Sequence, residues 1–390
     1  MKNKRHILLF CFVIGIFWFS LYGYVPILSV YAESLGASGK MIGLILGSYG
    51  LVQMFLRIPL GILSDRLNNR KIFVIAGMVL SITGAVGMGL FQNELFLLIF
   101  RSLTGAAAAT WVSYAVLYSS YFDKTDVSRA IGTANAINST GQMTGILLGG
   151  MIASAMGYQA SFMLAAAAGF IGLLLSFKVF GNKVVEHKPE SLRNLVILVK
   201  NKGLMIVSGM AVLSQIVTFS TVYGFTPNIA KSLGADSLQL GFLTAVSTIP
   251  AIISSYYSGT FFLKRFGGKI SLTASFALTA ISAAVIPFVP NLAMMYVTQI
   301  AGGIGRGIIM SLLMSASINS MEESKRATAM GFFQAIYGLG MFIGPMIVGF
   351  FDDIPGGLKY GFLAASAFSV IGMAMSMIFI TGKSKSLGVR

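Results

Sequence analysis

Eleven short polar breaks cut this chain into long apolar stretches, and that spacing constrains the fold more than any other feature. The breaks fall near residues 33–40, 65–71, 92–94, 123–129, 157–159, 178–202, 231–239, 264–269, 290–291, 319–326 and 352–359. Each stretch between them is about 20 residues or longer, the length at which a helix crosses a hydrocarbon layer. A lone segment in lipid must satisfy its own backbone hydrogen bonds, so each stretch reads as a helix. The inventory agrees: of 390 residues, 56% are hydrophobic and 10% charged. A soluble domain carries about 25% charged residues, so no water-facing surface can be built from this set. Twelve spans follow, with short loops and no length left for a folded soluble domain. The basic start, Met1 to Arg5, followed by apolar chain to Tyr31, imitates a secretory signal. Its apolar stretch exceeds the 7–15 residues of a signal core, so it reads as a retained first span.

The formal charge of +16 would suggest nucleic acid in a soluble protein. Here it maps onto topology. Of 28 Lys and Arg, 22 fall on one alternating set of loops and termini, three on the other (Lys40, Lys231, Lys359) and three within spans (Arg57, Arg101, Arg306). Basic residues collect in cytoplasmic loops, which predicts both termini in the cytoplasm and no nucleic-acid partner. Cys11 is the single cysteine, so no intramolecular disulfide can form.

The chain also repeats itself. Leu21-Tyr-Gly-Tyr-Val-Pro26 returns as Val222-Tyr-Gly-Phe-Thr-Pro227, and Ser34-Leu-Gly-Ala37 as Ser232-Leu-Gly-Ala235. At an offset of 198, Gly61 falls on Gly259, Lys71 on Lys269, Arg101 on Gln299 and Gly105 on Gly303. The longest polar stretch, with Glu186, His187, Lys188, Pro189 and Glu190, separates the two copies. The expected organisation is a six-helix bundle over 1–180, a linker over 181–202, a second bundle over 203–382 and a tail over 383–390.

Between spans two and three runs Gly61-Ile-Leu-Ser-Asp65-Arg66-Leu-Asn68-Asn69-Arg70-Lys71. With the twelve spans, the repeat and the basic linker, this loop resembles the signature of the major facilitator superfamily. Asn68 stands where that family usually has glycine, and the second copy has Leu263 in place of the acid. The resemblance implies an all-α membrane protein of twelve transmembrane helices in two six-helix pseudo-repeats, working as a secondary transporter that rocks about a site between its halves. It assigns Gly61, Asp65, Arg66, Arg70 and Lys71 to a conformational latch. Span four, with Arg101-Ser-Leu-Thr-Gly105, is similar to a second family motif, in which the arginine serves proton transfer or substrate binding. Gly141-Gln-Met-Thr-Gly145 through Gly149 partly resembles the antiporter motif, and Gly344-Pro345 supplies the matching proline in the second half. The physical reading of Gly105, Gly145, Gly149, Gly344 and Pro345 is close helix packing on small residues.

Charges within spans are costly and mark functional sites. Arg101 and Arg306 lie deep. Arg57 is eight residues before Asp65, about 12 Å along a helix, and either snorkels to the cytoplasm or faces a cavity. Aromatic and polar residues in apolar runs complete the substrate-binding candidates: Tyr22, Arg101, Trp111, Tyr114, Asn138, Gln142, Gln215, Tyr223, Gln299, Arg306 and Tyr337. Proton-coupled relatives generally use a membrane carboxylate or histidine. His6 and His187 sit outside the spans, which leaves Glu33 and Asp65 as coupling candidates. No metal-ligand set and no cofactor motif are found, and no cluster in the spans suggests an enzyme.

Taken with the resemblance, these residues predict export of a small amphipathic drug or metabolite in exchange for protons by a monomer of the plasma (inner) membrane. This is the pattern of the drug:proton antiporter and small-metabolite exporter branch. Uptake or exchange of a small organic anion, with intramembrane arginines as counter-charges, is the alternative, and a lipid flippase of the same fold is a second.

Overall fold

The computed structural model describes residues 4–67, 69–123, 126–181, 200–319 and 326–380. The central linker, Asn68 and the C-terminal tail therefore lie outside the described residues. Twelve long helices form the body: α1 (Lys4–Tyr22), α2 (Gly39–Arg66), α3 (Arg70–Leu90), α4 (Glu94–Ala109), α5 (Val127–Met156), α6 (Tyr158–Ser176), α7 (Lys202–Ser220), α8 (Ser237–Tyr257), α9 (Leu263–Val285), α10 (Leu292–Asn319), α11 (Arg326–Asp352) and α12 (Gly357–Phe379). Ten segments among the described residues are long and apolar enough to cross a bilayer. One of these, Ser237–Phe288, holds both α8 and α9. The chain bends sharply near the start of α9 at Gly267, whose φ is +78°. The Ser271 hydroxyl then donates to the Phe262 carbonyl, 3.1 Å away and nine residues back, a contact no straight helix allows. The thirty-residue α5 does not register as apolar because Thr133, Asn135, Asn138, Ser139, Thr140, Gln142 and Thr144 interrupt it.

The internal repeat acts as a folding instruction. In each half the Tyr-Gly-aromatic-x-Pro segment breaks the first helix, because proline lacks an N–H and clashes with the preceding turn. α1 gives way at Gly23 to Val25–Ile27 and then Leu28–Ser34. α7 gives way through Thr221–Phe225, where Gly224 leaves helical geometry, to Thr226–Ser232. The Ser-Leu-Gly-Ala copies then stop both helices identically. Gly36 and Gly234 adopt φ of +85° and +89°, and Ala37 and Ala235 donate to the carbonyls of Ala32 and Ala230 at 3.1 and 3.0 Å. That left-handed cap favours glycine.

The two halves pack by the same scheme. α1 lies on α5, α2 on α4 and α3 on α6; correspondingly, α7 lies on α11, α8 on α10 and α9 on α12. Glycine sets the separations. A Cβ on Gly141, Gly145 or Gly149 of α5 would run into the backbone of Gly15, Phe19 or Gly23 of α1. Gly340 and Gly344 of α11 meet the carbonyls of Val212 and Ile216 of α7 in the same way. Gly105 sits on the Tyr49 carbonyl and its repeat partner Gly303 on that of Ser247. The halves join through the symmetric pair α2–α11 and α5–α8.

Replacing Gly149 by leucine must force α5 off α1. Gly149→Leu is expected to lower unfolding free energy by about 1–3 kcal/mol. Gly132→Leu, where nothing lies within 4 Å of an added Cβ, should change it by less than about 0.5 kcal/mol. Thermal unfolding in detergent measures both, and equal melting temperatures would contradict the contact.

Candidate functional site

One end of the bundle is basic: Arg66, Arg70, Lys71, Lys178, Lys264, Arg265 and Lys269 collect there, while Glu33, Lys40, Lys231, Asp236, Asp352, Asp353 and Lys359 mark the opposite end. At the opposite end the halves are shut. Gly39, Gly43, Gly47 and Gly50 of α2 form a flat stripe on which α11 lies, with Gly349, Pro345, Phe342 and Met341 directly against it. Gly150 of α5 meets Ser237 and Gly241 of α8 likewise. Polar contacts complete the seam. The Asn228 amide donates to Glu33 Oε2 at 2.6 Å, and the Gly39 N–H donates to Asp353 Oδ1 at 2.6 Å. Lys40 Nζ lies 3.8 Å from the same carboxylate. Toward the basic end the glycine contacts of α2 with α11 stop at Met54 and Gly338, and an added Cβ on Gly132 or Gly331 would meet nothing within 4 Å.

Between the halves, below the seam, is a cavity of about 450 Å³. That volume is within the range of small-molecule sites. Its roof is the repeat-related pair Tyr22 and Tyr223, whose rings meet edge to face at 5.9 Å across the two halves. Trp18 and Trp111 make one wall, 5.4 Å apart. Polar groups come from α5 (Asn135, Asn138, Ser139, Gln142), α2 (Gln53, Arg57), α7 (Gln215, Thr218), α10 (Arg306) and α11 (Gln334, Tyr337). Gln142 Nε2 donates to Asn138 Oδ1 one turn away. The polar character of α5 has its explanation here: one face of that helix lines the cavity.

Of the candidates read from sequence, Tyr22, Trp111, Asn138, Gln142, Gln215, Tyr223, Arg306 and Tyr337 come together in this cavity. Arg101, Tyr114 and Gln299 lie outside it. Arg101 is 4% exposed, its guanidinium 4.3 Å from the ring of Tyr49 and 5.9 Å from that of Tyr24, with Thr104 Oγ1 at 3.4 Å. Tyr114 is fully buried and donates to the Val74 carbonyl at 2.9 Å. Gln299 lines a small separate void that also touches Arg306. Arg57, left open between anchor and cavity, faces the cavity and is 5% exposed. Tyr49, Gln53 and the methionines Met310, Met314 and Met341 were not singled out from sequence. In a helix apolar on every side, no periodicity tells the cavity face from the packed one.

The signature loop is a packed corner. Arg70 Nη1 donates to Ser64 Oγ at 3.4 Å, and Lys71 Nζ caps the end of α6 at the Phe177 carbonyl, 2.7 Å away. Arg66 is exposed, and the nearest atom to a Cβ on Gly61 is Val112 Cγ1 at 4.0 Å. The side chain of Asp65 lies outside the described residues.

Two pseudo-equivalent helical bundles around a central cavity define a membrane carrier. The Major Facilitator Superfamily model matches residues 10–227 and again 207–388. The chain belongs to that superfamily and is a transporter of it. An uncharacterized MFS-type transporter of Methanocaldococcus jannaschii is 25% identical over 85% of this chain and 87% of its own length. The multi-drug resistance efflux pump PmrA of Streptococcus pneumoniae is 27% identical over 39% of each chain. Among solved structures, a bacterial homolog of the human lysosomal transporter Spinster superposes with a TM-score of 0.82 at 15% identity over 97% of both chains. The nucleoside transporter NupG gives 0.76 at 17% identity, covering 95% of this chain and 99% of its own.

Desolvated cation–π contact contributes about 2 kcal/mol. Tyr49→Leu, which strips the nearer ring from Arg101, should therefore cost about that much more stability than Tyr49→Phe, which keeps it. Thermal unfolding of the two variants compares them directly.

Proposed function

We propose that the protein works by alternating access, stands here with its cavity open to the cytoplasm, and exports a small amphipathic organic compound across the plasma membrane in exchange for protons. One observation carries this reading: a cavity at the contact of two equivalent bundles, closed at one end by glycine seams that stop toward the other. Charge supports the orientation. The open end is the basic one, and loops rich in Lys and Arg stay cytoplasmic, so both termini are placed inside. An efflux pump and a multidrug resistance protein among the relatives, each matched over 39% of this chain, support export, and the mixed lining of Trp, Tyr, Met and amide groups suits an amphipathic cargo. Glu33 supports a role for protons, because it is an ionisable group on the seam whose Asn228 partner belongs to the other half and separates from it when the seam opens.

Purified protein in liposomes tests this with fluorescent amphipathic dyes of both charge signs. A dye carried by the protein should accumulate in vesicles with an acidic lumen and cease to do so when nigericin collapses the gradient. Glu33→Gln should keep dye exchange but lose its dependence on the gradient. Dye movement indifferent to the gradient in the unaltered protein would remove the proton component.

A further inference from the structure

We infer that the cargo carries an oxyanionic head seated between Arg57 of α2 and Arg306 of α10, with its apolar body against Trp18 and Trp111. This assignment rests on reading the cavity as the cargo site of a carrier, and it fixes the chemical class of what that site holds.

Arg57 and Arg306 are 5% and 8% exposed, and both line the cavity. No carboxylate among the described residues lines it with them. Arginine does not relieve the situation by losing its proton, so the cavity carries two positive charges from opposite halves with no counter-ion among the described lining residues. A buried charge of this kind is paired, or it belongs to a functional site.

The third membrane arginine shows how this fold quiets a structural one. Arg101 lies between two tyrosine faces and hydrogen-bonds Thr104. Among the described residues no ring covers Arg57; an unpartnered Nε is common to all three arginines and does not separate them. Arg306 is held by Ser247, with the Tyr223 hydroxyl also beside it. Its Nη2 donates to Ser247 Oγ at 2.6 Å and to the Ser247 carbonyl at 3.2 Å, while its Nε is buried and unpartnered. Ser247 fixes the guanidinium through one nitrogen and leaves other donors for a ligand. A guanidinium fork presents two parallel N–H groups to a carboxylate, sulfonate or phosphate, and two forks from two bundles grip such a head from both halves. The tryptophans beside them take a ring or chain. The class is therefore an amphipathic organic anion, whereas a cationic amphipath would meet two like charges.

Both tryptophans of the chain line this cavity, so intrinsic fluorescence reports its occupancy. The probe is 4-iodobenzoate, whose iodine quenches tryptophan, compared with uncharged 4-iodobenzamide and cationic 4-iodobenzylammonium in phosphatidylcholine nanodiscs. Hydrogen bonds to a charged group favour the anion by about tenfold or more. Saturable quenching by the benzoate at least about tenfold tighter than by the amide is expected. Arg57→Gln and Arg306→Gln should each bring the two within about twofold, Arg57→Lys should keep part of the preference, and Lys231→Gln at the opposite end should keep all of it. Melting temperatures confirm that the variants are folded. Equal binding of benzoate and amide, tighter binding of the ammonium, a preference that survives both glutamine variants, or no saturable quenching by the benzoate each overturns the assignment. Vesicle transport of a neutral or cationic dye alongside any of these results would leave the carrier reading standing while the anion is lost.

Discussion

Close approach of backbones at glycine governs this protein. In a bilayer every backbone group must be satisfied within its own helix, and lipid tails are as apolar as leucine side chains. Helices therefore gain specificity from fit rather than from escape from water. Gly141, Gly145 and Gly149 seat α5 on α1, and Gly340 and Gly344 seat α11 on α7, over much of the length of each pair. Between the halves the same device is used over a shorter run. The stripe Gly39, Gly43, Gly47 and Gly50 ends near Met54, and beyond it the halves part. Rigid bundles with a partial seam between them are what a rocking mechanism needs.

The cavity follows from that geometry. Where the seam ends, Tyr22 and Tyr223 form its roof, brought together by the repeat that kinks α1 and α7 at equivalent places. The seam's polar contacts lie above the roof: Asn228 with Glu33, and Asp353 with the first turn of α2. Each joins one half to the other, so in the proposed mechanism each would part on opening of that end. Below the roof the balance of charge reverses, with Arg57 and Arg306 inside and the carboxylates of the described residues elsewhere. One side of the barrier thus carries acids in contacts between the halves, and the other carries cavity-lining arginines.

Much of this was legible in the sequence. Apolar run length predicted the helices and the repeated segments predicted two equivalent halves; that those segments kink and cap the first helix of each half emerges from the structure. Arg306, Tyr22 and Tyr223 stood out as candidates because charge and repeat position are properties of single residues, and all three line the cavity. Arg57 was not decidable, since eight residues from a helix end permits either snorkelling or burial. Arg101 looked equivalent to Arg306, yet Tyr24 and Tyr49 enclose it. Only tertiary packing decides which arginine receives an aromatic sandwich. Tyr114 shows the same limit: its spacing from Trp111 resembles a ligand stripe, but its hydroxyl ends on the Val74 carbonyl. The glycine stripe of α2 was not singled out in the sequence and emerges only from its contact with α11.

The central claim is that the two bundles move as rigid bodies about this cavity, so that opening one end closes the other. Paired spin labels in a Cys11→Ser background test it most directly, since Cys11 is the single native cysteine. One pair, at Ser38 and Lys231, spans the closed end; the other, at Thr133 and Tyr256, spans the open end. Pulsed electron–electron distance measurement in nanodiscs should show two populations for each pair, with a longer Ser38–Lys231 distance always accompanied by a shorter Thr133–Tyr256 distance as pH or ligand shifts the balance. A single unchanging distance at both ends, or changes at one end without the other, would contradict the account.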